Sequence, residues 1–468
     1  MARPYYFRVF TALTATTIAA LVALLIASTP ATAVSAGYTV NSTADDDDGS
    51  CVQPAPFNPN GDCTLREAIN AANNTSGEDT IAFNIPSASC PSGVCTIQVG
   101  GTSGPTAGQP LPFITEAVTI NGYSQPGAFE NTNDLTDPQG DNANLLIELD
   151  GTSAGSVVSG LLIFNPGGPA VSNVVIKGLV INRFSNTGIT MTGFGSGNRL
   201  EGNFIGTNPS GNAALPNGQG NGHGVSVNGF GDTVGGTSND ARNVISGNNG
   251  DGVSLNGPGA KVQGNYIGTK ADGINGLPNT ADGVVTDNDH ATVGGEGIGA
   301  NVIAFNNVSG IRATSIDRVG NSFFENSIHS NGKLGIDLQS GNDPNTGVTP
   351  NDKKDPDTGP NNLQNYPELV FAKTDSTSGT TTITGKLNSR PKTFFVIQFF
   401  SNVAADSPSG FGEGKTYLGQ TTKKTNRKGN LSFSFTTVLP PGENIVTSTA
   451  TNLSTLDTSE FSKAVTAS

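Results

Sequence analysis

The feature that most constrains this chain is that it repeats. GNFIGTNPSGNAALPN (Gly202–Asn217) returns as GNYIGTKADGINGLPN (Gly264–Asn279), and RNVISGNN from Arg242 returns as ANVIAFNN from Ala300. A short strand signal opens each unit: GITM at Gly188, GVSV at Gly224, GVSL at Gly252, GVVT at Gly283, GIRA at Gly310 and GIDL at Gly335. The units recur every 25 to 36 residues or so, and periods of roughly 20–50 residues are those of a solenoid.

Each unit holds three short apolar pieces. In the unit at Gly252 these are GVSL, AKVQG and NYIG; in the next they are GVVT, ATVGG and NVIAF. Every piece alternates, so Val253 and Leu255 face one way while Ser254 and Asn256 face the other. The pieces are too short for helices, and Gly or Asn closes most of them. The 62 glycines supply bends that need positive φ, and they disfavour a helix-rich protein. The pattern predicts an all-β chain: a right-handed, single-stranded parallel β-helix with three strands per coil. About seven or eight coils at about 4.8 Å each make a rod about 35–40 Å long. Insertions fall at constant points, after the third strand (Thr207–Gly222 and Thr269–Asp282) or before it (Thr237–Arg242 and Glu296–Ala300). Such insertions belong in surface loops.

A coil stack needs its ends closed, because an open end exposes unpaired backbone. At the front, CTLREAINAAN (Cys63–Asn73) predicts a capping helix. Thr64 and Glu67 form a capping box, and Leu65, Ala68, Ile69 and Ala72 line one face. From Tyr366 onward the chain reads as longer alternating strands, predicting an immunoglobulin-like β-sandwich that seals the rear. The expected divisions are an export signal over 1–36, a capping region over 37–110, the β-helix over 111–340, an Asp/Asn/Pro/Gly-rich linker over 341–365 and the sandwich over 366–468.

Arg3 and Arg8, the apolar run Val9–Ala27 and the small residues at Ala31–Ala36 have the layout of a cleaved secretory signal; the competing reading is an uncleaved membrane anchor. No later segment approaches transmembrane length. The four cysteines, Cys51, Cys63, Cys90 and Cys95, allow three pairings, of which two local bridges are the simplest. A zinc site is the rival reading, and it lacks the usual Cys spacing and a nearby His. The formal charge of −14 argues against nucleic acid or an anionic membrane as partner. A monomer is expected.

TVNSTADDDDGSC…GDCTLREAINAAN (Thr39–Asn73) resembles the N-terminal region named for the sequence CSLREA, with Thr64 in the Ser position. DTIAFNIP, LPFITEAVTINGYSQPG, GNYIGT, NVISGN and the segment Leu334–Leu369 resemble the exported bacterial β-helix proteins that carry that region. The resemblance covers most of the chain beyond the signal and implies a pectin-lyase-like superhelix. It implies no settled reaction, substrate or catalytic residues.

In a coil stack, chemistry can be carried only by the outward positions. Aligning the first strands gives one outward column of Thr190, Ser226, Ser254, Val285, Arg312 and Asp337. A second reads Thr192, Asn228, Asn256, Asp287, Thr314 and Gln339. The columns are small and neutral until the last coils, where Asp287, Arg312 and Asp337 are the candidate catalytic set for a polysaccharide lyase or hydrolase, with Asp289 and His290 in the adjoining turn. The bland reading is a surface ion pair between Arg312 and Asp337, worth little. His223 sits in a Gly-His-Gly triplet like one in polygalacturonases. It aligns with Gly250–Gly252 and Ala281–Gly283, and so reads as a turn, without the paired aspartates such an enzyme needs. The recurring Asn203, Asn243, Asn265, Asn301 and Asn326 read as a structural ladder. Asp352, Asp355, Asp357 and Asn361 offer clustered oxygens suited to calcium, and Asp45–Asp48 form a second acidic cluster. An ice-binding Thr array, a GxSxG elbow and usable phosphate or dinucleotide loops are absent. The resulting expectation is a structural or adhesive exported protein that holds carbohydrate, such as a cell-surface glycan, without catalysis. The alternative is a polysaccharide lyase or hydrolase.

Overall fold

The alternating triplets do coil. In the computed structural model, which describes residues 35–48, 51, 61–101, 105–219, 222–339 and 347–468, three parallel sheets run the length of a β-helix. The expected export signal lies outside the described residues up to position 34, as does part of the expected linker. Sheet 1 has seven strands, from Leu161–Ile163 to Ile336–Leu338. Sheet 2 has nine, from Gly37–Val40 to Ser322–Phe324, and sheet 3 has eight, from Cys95–Gln98 to Ser327–His329.

The register stacks like on like. Leu161, Ile189, Val225, Val253, Val284, Ile311 and Ile336 form one buried column inside sheet 1. Burying each such aliphatic side chain contributes about 1.5–3 kcal/mol. At the bends, Asn203, Asn243, Asn265, Asn301 and Asn326 stack. Each Oδ1 from Asn243 onward accepts the backbone N–H and side-chain Nδ2–H of the Asn one coil earlier, and Nδ2 donates to a backbone carbonyl such as Leu200 O. A second ladder, Asn217–Asn248–Asn279–Asn306–Asn331, serves the bend between sheets 3 and 1. These buried amides satisfy backbone groups that the tight turns cannot pair with one another.

The front is closed by α1 (Leu65–Asn73). Its capping box forms as the sequence predicts: Glu67 N–H donates to Thr64 Oγ1 at 3.2 Å, and Thr64 N–H donates to Glu67 Oε2 at 2.9 Å. Leu65, Ala68, Ile69 and Ala72 are buried in the same core as Val40, Ile81 and Phe83. Both local disulfides, Cys51–Cys63 and Cys90–Cys95, are formed. The acidic run contributes a buried partner to α1. Asp45 is buried and takes Arg66 in a bidentate pair, Nε to Oδ1 at 3.0 Å and Nη2 to Oδ2 at 2.7 Å, while Gly100 N–H donates to Oδ2 at 2.6 Å. Arg66 Nη1 adds Pro110 O at 2.6 Å. Asp45 is thus an internal partner of the capping helix and not a member of a solvated acidic cluster.

The rear carries the β-sandwich, with a three-stranded sheet (Glu368–Thr374, Thr381–Asn388, Asn430–Thr437) facing a four-stranded one (Thr416–Lys424, Phe394–Asn402, Ile445–Asn452, Val465–Thr466). Its core centres on Ile383, Phe395, Ile397, Phe399, Phe433 and Val446, with Phe399 stacked on Phe435 at 4.5 Å. Each of the three terminal β-helix strands meets a sandwich group. Leu338 N–H in sheet 1 donates to Glu460 Oε1 at 3.1 Å, and Phe323 N–H in sheet 2 to Thr458 Oγ1 at 3.0 Å. Ile328 in sheet 3 exchanges backbone bonds with Gly414 at 2.8 Å. Phe461 and Phe400 close the apolar interior, their rings 5.3 Å apart.

Candidate functional site

The β-helix has three outer faces, and they differ. The face of sheet 3 is apolar (Val180, Phe204, Val244, Tyr266, Val302) and packs with Leu135 and Ala143 of the long segment after Tyr123. Tyr266 Oη–H donates to Leu135 O at 3.0 Å, and Arg242, buried over the Tyr266 ring at 4.7 Å, donates from Nη1 to Asn133 O. The protein has therefore covered that face itself. Sheet 2 presents ordinary surface charge, such as Arg199, Glu201 and Lys261, with Arg199 and Glu201 paired at 2.8 Å.

Sheet 1 is different. Pairing runs Thr190–Ser226–Ser254–Val285–Arg312–Asp337 along the outer column, as the repeat alignment predicts. The floor is small and polar. Asn256 Nδ2 donates to Asn228 Oδ1 at 3.0 Å, and each Asn leans on the Ser two residues before it, Ser226 or Ser254. One margin is aromatic: Phe194, 84% exposed, lies stacked against Phe230 with ring centroids 5.9 Å apart. Water-facing aromatic rings held in a pair are poor surface residues unless something covers them.

The other margin is ionic. His223 Nδ1 lies 3.1 Å from Asp251 Oδ2, and Asp251 Oδ1 accepts the Asp282 N–H at 2.9 Å. Asp282 in turn takes the Ser309 N–H at 2.8 Å and the Arg312 guanidinium at 2.6 Å. Burial works to raise the Asp251 carboxyl, but His223 and the Asp282 N–H outweigh it and hold it below the usual range. Burial raises Asp282 above it, against the pull of Arg312. His223 sits in the turn before the strand Val225–Val227, as the alignment predicts, and one aspartate, Asp251, stands beside it. Aligning Gly-His-Gly with Gly-Asp-Gly and Ala-Asp-Gly put the three side chains at one turn of successive coils, and in a coil stack equivalent positions are neighbours.

The predicted catalytic set is spread more widely than one reaction centre. Arg312 turns back to Asp282, with Nη1 reaching Gln339 Oε1 at 3.2 Å, so the expected pairing with Asp337 gives way to a buried carboxylate one coil earlier. Asp337 Oδ2 accepts Ser309 Oγ–H at 3.4 Å. Asp287 is exposed, and Asp289 pairs with Arg318 at 3.0 Å. Elsewhere, Asp352, Asp355 and Asp357 do converge, with ligand oxygens within 4.8 Å of one another. Burial first, and then the neighbouring carboxylates, push Asp355 up to about 7 and Asp357 to about 6. Asp355 is held by Ser389 Oγ–H and the Asn365 N–H, whereas Asn361 is taken up by the Asn321 backbone and does not join the cluster.

No family model matches the chain, and no curated protein matches its sequence. Among solved structures it is similar to a mutant of the periplasmic alginate epimerase AlgG, at 14% identity over 57% of this chain and 66% of that one, with a TM-score of 0.32. It is similar also to the A-module of the Azotobacter vinelandii mannuronan C-5 epimerase AlgE6, at 16% identity over 60% and 86% with a TM-score of 0.27. A third likeness is to tailspike protein 2 of the Escherichia coli O157:H7 bacteriophage CAB120, at 11% identity over 84% and 60% with a TM-score of 0.21. The chain spans just under two thirds of the length of the first of these. Among the described residues no helix is long and apolar enough to cross a membrane.

Proposed function

We propose that the protein is an exported structural or adhesive β-helix, of the kind that carries a CSLREA-type front, and that it grips an extended glycan along sheet 1. One observation carries this reading: a continuous small polar floor (Thr190, Ser226, Ser254, Asn228, Asn256) lies between an exposed aromatic pair and an ionic margin. A sugar polymer offers what that surface lacks, namely apolar C–H faces for Phe194 and Phe230 and hydroxyls for the amides and carboxylates. The coil spacing of about 4.8 Å is close to the rise of one sugar unit, so successive coils can meet successive sugars. The protein acts as a monomer outside the reducing cytoplasm, in keeping with its two disulfides.

Glycan arrays followed by calorimetry test the reading. The double variant F194A/F230A is expected to weaken binding by about 1–3 kcal/mol with an unchanged melting temperature. Unaltered affinity in that variant sinks the assignment to sheet 1. The alternative, a polysaccharide lyase or hydrolase, draws on the His223–Asp251 contact, an imidazole held by a carboxylate as a general base would be. Sustained release of reducing ends or unsaturated products, abolished by Arg312→Ala, would establish turnover and overturn the binding-only reading.

Calcium at Asp352, Asp355 and Asp357 belongs to the same proposal, as a clip between the segment after the β-helix and the sandwich. Two observations support it: the convergence of the carboxylates, and the buried Asp352 Oδ1 and Asp357 Oδ1, which have no hydrogen-bond partner. Added calcium is expected to raise the melting temperature at pH 8 and to do little at pH 5, where protons already neutralise the cluster. Asp355→Asn is expected to abolish the response.

A further inference from the structure

The insertion after sheet 3 occurs in alternate coils, after Phe204–Ile205 and after Tyr266–Ile267 but not after Val244–Ile245 between them. In the coils at Gly202 and Gly264 it forms a small loop closed by an internal bridge, Thr207–Ala214 in one and Thr269–Gly276 in the other. The second loop stacks on the first, Ala271 N–H donating to Gly211 O at 2.8 Å. The coil at Val302–Ala304 lacks the loop, as the coil at Val244–Ile245 does: Ala304 leads through Phe305 straight to Asn306, the partner of Asn279 in the second ladder. On that spacing a third loop would follow Ser327–His329 and continue the stack, but His329 leads through Ser330 straight to Asn331 of the same ladder. In its place the next wall is the sandwich segment Asn402–Ser407, and a cleft of about 710 Å³ lies between. Phe305 and His329 meet edge to face there with ring centroids 5.7 Å apart, and Ile274 and Val403 project beside them, 57% and 62% exposed. The cleft shares Gly273, Ile274, His329 and Lys415 with a second cavity of about 480 Å³ that reaches Pro138 and Tyr417.

The ionisable groups around this space are already engaged. Glu413 accepts the N–H groups of Ser330 and Asn331 at 2.7 and 3.0 Å, and Lys415 pairs with Glu443 at 3.1 Å. Asp272 takes two N–H groups of its own loop, Asp406 takes the Ser409 hydroxyl, and Glu325 takes the Gly297 N–H. Burial holds the His329 imidazole down to about 4, so at neutral pH it carries no charge. An anionic ligand would find no cation free to meet it, because Lys415 is paired with Glu443, and burying an unpaired charge is costly. The space still offers apolar side chains among neutral donors and acceptors, the alternation that a pyranose ring presents with its C–H face and its rim of hydroxyls.

We infer that this cleft between the second insertion loop and the sandwich is a binding site for a short uncharged saccharide. The inference stands apart from the reading of sheet 1, because the cleft lies on the sheet 3 side and shares no residue with it. The full chain is to be titrated with maltotriose, cellotriose and xylotriose as neutral probes, and with trigalacturonate and spermidine as charged ones, following saturation-transfer NMR. At least one neutral trisaccharide is expected to bind. Ile274→Glu and Val403→Asp are each expected to weaken it roughly tenfold or more, while F194A/F230A leaves it unchanged. Both cleft side chains are exposed, and circular dichroism checks that the variants fold. Absence of binding by all three neutral probes at millimolar concentration overturns the inference. So does tighter binding of either charged probe, or neutral binding that both cleft variants leave intact. Loss of rod binding in F194A/F230A alone bears only on sheet 1.

Discussion

The two ends of the rod face the same problem and solve it differently. At the front, one nine-residue helix lays an apolar face over the first coil and ties its Arg66 to Asp45 in the interior. At the rear, a whole sandwich supplies side-chain acceptors to strand ends: Glu460 to Leu338, Thr458 to Phe323 and Glu413 to Ser330 and Asn331, with Phe461 as the apolar plug. The difference follows from what each end exposes. The front is entered before three full sheets exist, so a short helix covers it. The rear presents three strand ends at once and needs several partners held in fixed positions, which only a second folded unit can provide. A front built on one buried ion pair should fail abruptly, and a rear built on several hydrogen bonds should fail by degrees.

The sharpest way to break that contrast is at Arg66. Arg66→Ala leaves Asp45 buried without its partner and is expected to cost about 3–5 kcal/mol in urea denaturation. Adding Asp45→Asn should return part of that loss, and a double variant no better than the single one would mean that the pair is not what closes the front. Phe461→Ala at the rear is expected to cost about 3–5 kcal/mol as a core truncation. Proteolysis should then begin in the last coil while residues near α1 stay protected. Glu460→Ala strips the acceptor from the Leu338 and Thr349 N–H groups and should cost about 1–3 kcal/mol. If it costs as much as Arg66→Ala, the graded picture of the rear is wrong.

The smallest effect is one of pH. Burial pushes Glu413 up to about 7, well above its ordinary value, against the Asn331 and Ser330 N–H groups that favour its ionised form. The folded protein therefore keeps a proton there that the unfolded chain releases near pH 4.5. This contribution to stability is fully present below that pH and is lost as pH rises through about 7. Glu413→Gln should flatten the stability profile between pH 5 and 7.5, and a profile as steep as that of the natural protein would assign the slope to other carboxyls such as Asp355.

Much of this was legible in the residues. The stacking of Val253, Val284 and Ile311, the outward column from Thr190 to Asp337, the capping box of Thr64 and Glu67 and both disulfides follow from local rules, because in a solenoid the neighbour in space is the same position one repeat away. Four features were not. Asp45 stands in a run of four aspartates that forms an acidic cluster in the sequence, and nothing local tells a buried carboxylate from a solvated one when its partner is 21 residues distant. The Asp251 neighbour of His223 is present in the alignment as the equivalent position one coil on, but a repeat position by itself does not say that two unlike side chains meet. Arg312 was matched with its register neighbour, whereas a long side chain chooses among all acceptors within reach and took the buried one. The cleft beside Phe305 and His329 is invisible in the sequence, because it is made by a loop that is missing and a domain that folds back against the gap.

The sequence by itself determined the coil, its period, its inward and outward residues and the need for a stopper at each end, since all of these are set by short-range alternation and repetition. Only the tertiary structure decided which outer face stays open, which charges find partners and where a cavity remains. Those depend on non-repeating segments (the stretch after Tyr123, the insertion loops and the sandwich) whose contacts cross the repeat and obey no period.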